Sequence, residues 1–153
     1  MSEAGPEFRV AQVDATTGSA LRMAVLRPHE AIDRPMYARE RDAATLHFAA
    51  LDKDQEVLSG GSVMAEAHPS DPRPYDWRIR GMATRPEQRG RGVGSAVLAA
   101  IEGGARERGA RRLWCNARVG ARRFYERAGF TVEGEEYEIE GIGSHLLMSR
   151  TLG

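Results

Sequence analysis

The chain has 153 residues, 41% hydrophobic and 29% charged, with 22 basic and 22 acidic side chains. This fits one ordinary globular domain over residues 1–153, long enough to bury a core; no apolar run approaches the roughly 18 residues of a membrane span, and the start has neither the basic nor the apolar part of a signal peptide. A lone cysteine, Cys115, excludes an internal disulfide and fits a reducing cytoplasm, and four scattered histidines give no metal-ligand spacing.

Residues 8–13 read as a first strand and 14–19 as turn and capping residues. Residues 20–27 read as a helix with Leu21, Val25 and Leu26 on one face, stopped by Pro28. Residues 29–44 are polar and irregular; a loop of that length fits a lid or binding loop and equally a surface connection. Residues 45–51 alternate as a strand, 52–56 form a polar turn, and 57–67 read as the hairpin partner, loosened at Gly60-Gly61. The proline-rich stretch 68–74 cannot be a strand.

Residues 77–96 organise the rest. Trp77, Ile79 and Met82 suit a strand, Pro86 ends it, and Gly81 inside it predicts a bulge. Arg89-Gly90-Arg91-Gly92-Val93-Gly94, followed by Ser95, then forms a glycine turn opening a helix. Such a junction gathers backbone N–H groups at the positive end of a helix dipole. With Arg89 and Arg91 beside it, the turn is an anion cradle suited to a phosphate or pyrophosphate. It is not a P-loop, because no lysine lies there. It is not the dinucleotide fingerprint, because Ser95 stands at the last glycine position and the turn comes past mid-chain.

The following helix places Val93, Val97, Leu98, Ile101 and Ala105 on one face; Gly103 and Gly104 weaken its end and Gly109 terminates it. Residues 111–116 are the next strand, and strand–helix–strand makes a right-handed parallel crossover. Ala117, Ala121, Phe124 and Ala128 recur at helical spacing before a C-capping Gly129. Two tail strands, 130–138 and 145–152, are joined by Gly141-Ile142-Gly143. Charge is uneven: residues 78–127 hold thirteen arginines against four acids, and the tail from Ala128 five glutamates and one arginine.

Arg89-Gly90-Arg91-Gly92-Val93-Gly94 resembles the acyl-CoA-binding signature R/Q-x-x-G-x-G/A of the GNAT superfamily of N-acetyltransferases. Ala121-Arg122-Arg123-Phe124-Tyr125-Glu126-Arg127-Ala128-Gly129-Phe130 resembles that family's second block, A-x-x-F-Y-x-x-x-G-F. The likeness covers residues 76–152 well; before them only the order of elements fits. It implies an α/β (α+β) fold in a single domain. The expected core is a mixed, largely antiparallel sheet of six to seven strands, with about four helices and a splayed parallel pair in the middle.

The same resemblance implies acetyl-CoA as co-substrate, with no metal. The cradle would hold the pyrophosphate. The strand edge at Met82, Ala83 and Thr84 would pair with the pantetheine amides, and an N–H near Met82 would serve the oxyanion. Asn116 and Arg123 complete the expected cofactor contacts, with Arg122 the alternative to Arg123 at the 3′-phosphate. Tyr125 matches the tyrosine that protonates the leaving thiolate; a phenol, of pKa about 10, holds its proton at neutral pH.

No base is assigned, because Arg78 and Arg80 stand where some relatives place a glutamate. Glu66, Glu138, Glu140 and His145 are the candidates, and His145 at a strand start fits a surface residue better. Arg80 alternatively holds a carboxylate on the acceptor. The reaction expected is direct attack by a primary amine in a ternary complex, without a covalent route through Cys115. The alternative is a non-catalytic acyl-CoA sensor or interaction domain. Coenzyme A accounts for the basic segment, which lacks the exposed aromatics of a nucleic-acid binder. A homodimer pairing tail strands across subunits stays open, as does the acceptor amine.

Overall fold

A computed structural model describes residues 7–17, 21, 25 and 39–153. Seven strands form one sheet: β1 (Arg9–Val13), β2 (Leu46–Leu51), β3 (Val57–Ala65), β4 (Asp76–Thr84), β5 (Arg112–Arg118), β6 (Thr131–Ile139) and β7 (Gly143–Thr151). Their order is β1-β2-β3-β4-β5-β7-β6, and every neighbouring pair is antiparallel except β4–β5. The mixed sheet with one parallel pair is as expected. The helix count is not: the described residues hold two α-helices, α1 (Val93–Glu107) and α2 (Arg122–Arg127). The expected helix over 20–27 falls outside the described residues save for Leu21 and Val25, both helical, and so does most of the 29–44 loop.

The stretch read as helical from Ala117 is also corrected. β5 runs through Arg118, a 3-10 turn takes Val119–Ala121, and only then does α2 begin. Pairing of β5 with β7 supplies the reason: Ala117 sits opposite Leu146 and Arg118 opposite His145, so the ladder holds these residues extended. Tertiary pairing overrides a weak local helical pattern.

Helix α1 lies across one face of the sheet. Val93, Val97, Leu98, Ile101 and Ala105 are all buried and share a core with Phe48, Val63 and Ile79. Each of the valine, leucine and isoleucine side chains taken from water stabilises by about 1.5–3 kcal/mol. Gly104 does more than weaken the helix end: a Cβ there would stand 2.5 Å from the Phe48 ring, so the helix needs a hydrogen at that position to seat. The opposite face of the outer strands has its own small core, Ala49, Leu51 and Val57, packed with Ala11, Val13 and Leu21.

Side chains alternate across the strands, so the register divides them between the two faces. Ile79, Leu113, Cys115, Leu146 and Met148 join the α1 core. Arg78, Arg80, Trp114, Asn116, Arg118 and His145 fall on the other face.

Candidate active site

The parallel pair is short. β4 and β5 are bonded at Asp76–Arg112, Trp77–Leu113 and Arg78–Trp114, and the pairing then stops. Just beyond lies a bulge. Gly60 pairs with Ala83 and Ser62 with Arg80, so Gly61 alone faces both Gly81 and Met82. Gly81 takes φ +66°, a left-handed value that glycine reaches without strain. Met82 folds its sulfur over Gly61, where a Cβ would lie 2.2 Å from Sδ. The expected bulge is therefore present, and it turns β4 away from β5.

The divergence opens a cleft of about 810 Å³. Met82, Ala83 and Thr84 line it from the end of β4. Arg89, Gly90 and Gly92 line it from the turn, and Val93, Gly94 and Ser95 from the first turn of α1. Gly92 caps α1 at φ +82°. The first helical backbone bond runs from Ala96 N–H to the Gly92 carbonyl, so the N–H groups of Val93, Gly94 and Ser95 precede the helical ladder and stand at the positive end of the dipole. Gly94 is required for a different reason. A Cβ on it would lie 2.9 Å from Thr84 Oγ1 and 3.2 Å from the Phe124 ring, so α1 starts in direct contact with β4 and α2.

Of the other predicted residues, Asn116, Arg123 and Tyr125 also line the cleft, whereas Arg91 is exposed and does not. Between the two arginines weighed for the 3′-phosphate, Arg123 is on the cleft; Arg122 pairs with Glu126 at 3.3 Å outside it.

Tyr125 is buried and fixed by edge-on contacts to Phe124 and Phe130, with ring centroids 5.1 and 5.4 Å away. Burial, and then the neighbouring Cys115, push its phenol well above the usual tyrosine range. Burial likewise pushes the Cys115 thiol up to about 12, opposed by a hydrogen bond with Tyr125 and by the charge of Arg78. That bond raises the phenol and lowers the thiol, as it must when the Tyr125 hydroxyl donates to sulfur. Both groups are therefore protonated at neutral pH.

The four candidate bases separate. Glu66 is outside the cleft, its carboxylate held by Arg78 Nη1 at 2.9 Å. Glu138 and Glu140 are exposed and also off the cleft, and Glu138 accepts from Ser144 Oγ. His145 lines it and is only 5% exposed, against the expectation of a surface residue. The cause is the tail hairpin: β7 lies between β5 and β6, which places His145 opposite Arg118 on one side and Tyr137 on the other. Its Nδ1 is 2.8 Å from the Gly143 carbonyl. A carbonyl only accepts, so Nδ1 carries the proton and neutral His145 has its lone pair on Nε2. Tyr137 stacks beside that ring at 6.1 Å and donates its hydroxyl to Asn116 Oδ1 at 2.5 Å.

Sequence reasoning did not single out Arg118 or Arg127, which also line the cleft. Residue-level spacing within one segment carries no sign of either, since β5 and α2 meet the cleft only through the fold.

Residues 15–130 match the sequence model of the Acetyltransferase (GNAT) family. The chain belongs to that family. As a GNAT acetyltransferase it is an acyltransferase, similar to the uncharacterized N-acetyltransferase YitI of Bacillus subtilis. The two are 31% identical over 132 residues, covering 86% of this chain and 88% of the relative. Its fold is that of Escherichia coli ElaA, with a TM-score of 0.74 at 17% identity over 94% of this chain and 99% of the other. It is also that of an aminoglycoside 6′-N-acetyltransferase solved with coenzyme A, with a TM-score of 0.71 at 12% identity over 94% and 96%. No described helix of this GNAT chain is long and apolar enough to cross a membrane.

Proposed function

We propose that this GNAT protein transfers the acetyl group of acetyl-CoA to a primary amine by direct attack. The supporting observation is the buried, protonated Tyr125 on the same cleft as the amides of α1's first turn. Those amides, with Arg89, hold the pyrophosphate, and Arg123 meets the 3′-phosphate. The β4 edge from Met82 to Thr84 pairs with the pantetheine arm, which lays the thioester across the bulge. The Met82 N–H serves the carbonyl oxygen as it gains charge.

An ammonium acceptor gives one proton to His145 Nε2, and the neutral nitrogen attacks the thioester carbon. The C–N bond forms, the C–S bond breaks, and the Tyr125 hydroxyl protonates the departing thiolate. The nitrogen's second proton restores the phenol, so the sum is amide, free thiol and one released proton. Cys115 takes no covalent part, since its thiol is held far above the range of a nucleophilic cysteine.

Calorimetry with acetyl-CoA and steady-state turnover of the Tyr125→Phe variant test this reading. Turnover is expected to fall by about 10²-fold, the usual scale for losing a general acid, with acetyl-CoA affinity retained. Unchanged turnover would refute the role of Tyr125, and absence of any acetyl-CoA binding would refute the whole reading.

A further inference from the structure

The edge strand β6 is irregular just before it passes His145. Glu133 pairs with Leu147 and Tyr137 with His145, so β6 advances four residues while β7 advances two. Gly134 opens this bulge at φ +75°, a value that suits glycine. An unbroken ladder from Glu133 would set Glu135 opposite His145; the bulge sets Tyr137 there instead. Tyr137 thus shares a face of the sheet with His145, with Arg118 beyond it, and with Asn116 two residues before Arg118. Its ring lies 6.1 Å from the His145 ring, and its hydroxyl reaches past β7 to donate to Asn116 Oδ1 at 2.5 Å. Asn116 and His145 line the cleft, whereas Tyr137 does not. Two polar side chains of the cleft therefore rest on one residue behind them.

Asn116 stands where the cleft opens. The β4–β5 ladder ends at Arg78–Trp114, and Asn116 follows Trp114 by two residues, about 7 Å along β5. Under the transferase reading the pantetheine arm runs between these diverging strands. A carboxamide carries an accepting oxygen on one side and an NH₂ with two donors on the other. The two groups have nearly the same shape, so packing does not choose which one meets the arm. Tyr137 supplies the choice. A phenol oxygen is conjugated with its ring and gives a hydrogen bond more readily than it takes one. Burial, opposed by the charge of Arg78, raises this phenol above the usual tyrosine range, so it keeps the proton it donates.

We infer that Tyr137 is a positioning residue of the transferase: by holding Asn116 Oδ1, it turns the Asn116 NH₂ to the cleft as a donor for a carbonyl oxygen of the pantetheine arm. This rests on the transferase reading above and adds to it the residue that orients one of its cofactor contacts. Tyr137 does not touch the cofactor itself, so its whole effect on binding passes through Asn116.

The test is a double-mutant cycle read by calorimetric titration with acetyl-CoA, below the melting temperature of every chain used. The chains are the parent, Tyr137→Phe, Asn116→Ala and the double variant. Tyr137→Phe keeps the ring beside His145 and removes only the hydroxyl. It is expected to weaken acetyl-CoA binding by about 3- to 10-fold in the parent, the scale of one hydrogen bond. In the Asn116→Ala background the same change is expected to alter binding by less than about twofold, the spread of independent sites. Asn116→Asp keeps an oxygen for Tyr137 but has no NH₂, and is expected to bind acetyl-CoA no better than Asn116→Ala. Equal losses from Tyr137→Phe in both backgrounds, no loss in the parent, or parent-like binding by Asn116→Asp would each overturn the inference. The parent's own binding of acetyl-CoA would then leave the transferase reading standing; absence of binding by the parent would overturn both.

Discussion

Under the proposed mechanism His145 takes the proton of the acceptor ammonium, and one hydrogen bond fixes which nitrogen can do so. Because Nδ1–H donates a hydrogen bond to the Gly143 carbonyl, only Nε2 is left to receive a proton. His145→Gln keeps a polar side chain but cannot take the proton. Turnover at neutral pH is expected to drop by about 10²–10⁴-fold, and the deficit to shrink as rising pH deprotonates the amine in solution. A constant deficit across the pH–rate profile would mean a structural role only. Gly94 is the other decisive single position. Its missing Cβ keeps Thr84 Oγ1 and the Phe124 ring in contact with the start of α1. Gly94→Val is expected to cost about 1–3 kcal/mol by overpacking, read by urea denaturation, and to weaken acetyl-CoA binding by displacing the cradle.

At the scale of elements, the question is what holds β4 to β5 when their ladder is only three residues long. Asp76 and Arg112 are register partners and nearly fully buried, joined from Nε to Oδ1 and from Nη2 to Oδ2 at 2.9 Å each. Asp76 also accepts from the backbone N–H groups of His68 and Arg73, so the proline-rich loop is tied to the same point. Glu133 of β6 reaches the loop through His68 Nε2 at 3.0 Å. The closed end of the cleft is thus pinned by charge while the bulge opens the other. Arg112→Met leaves a buried carboxylate unpaired and is expected to cost about 3–5 kcal/mol. The double variant Arg112→Met with Asp76→Leu is expected to lose clearly less than the sum of the single ones; strict additivity in the denaturation midpoints would count against the pair.

For the molecule as a whole, the same groups set limits on stability at both ends of the pH scale. The folded state holds the Cys115 proton up to about 12, whereas an unfolded thiol titrates at its ordinary value of 9.0. Between those values the folded chain binds more protons, so stability is complete below pH 9 and declines as pH rises toward 12. The difference corresponds to about 4 kcal/mol at most. Tyr125 acts in the same direction. Cys115→Ala is expected to flatten the alkaline part of a melting-temperature profile; an unchanged slope there would remove the thiol as its cause. The acidic side has the opposite sign. Burial pushes Asp76 up, but Arg112 and two backbone amides outweigh it and hold it below the usual carboxylate range. Its contribution is present above the unfolded pKa and is lost as pH falls through the lowered folded one.

The amino-acid sequence alone determined the glycine turn at the start of α1, the bulge glycine, the apolar face of α1 and the motif that carries Tyr125, because each is written within one contiguous segment. A glycine at a left-handed turn, a 3.6-residue period and a motif of ten residues need no distant partner to be read. It did not determine the end of β5 or the burial of His145. Those depend on which strands become neighbours: β7 inserts between β5 and β6, extends Arg118 against His145, and brings Tyr137 and Asn116 together. Gly104 marks the same divide, since its contact is with Phe48, 56 positions earlier in the chain. Local geometry follows from residue type and spacing, whereas the end of β5 and the burial of His145 arise from long-range strand pairing, and only the tertiary structure decided them.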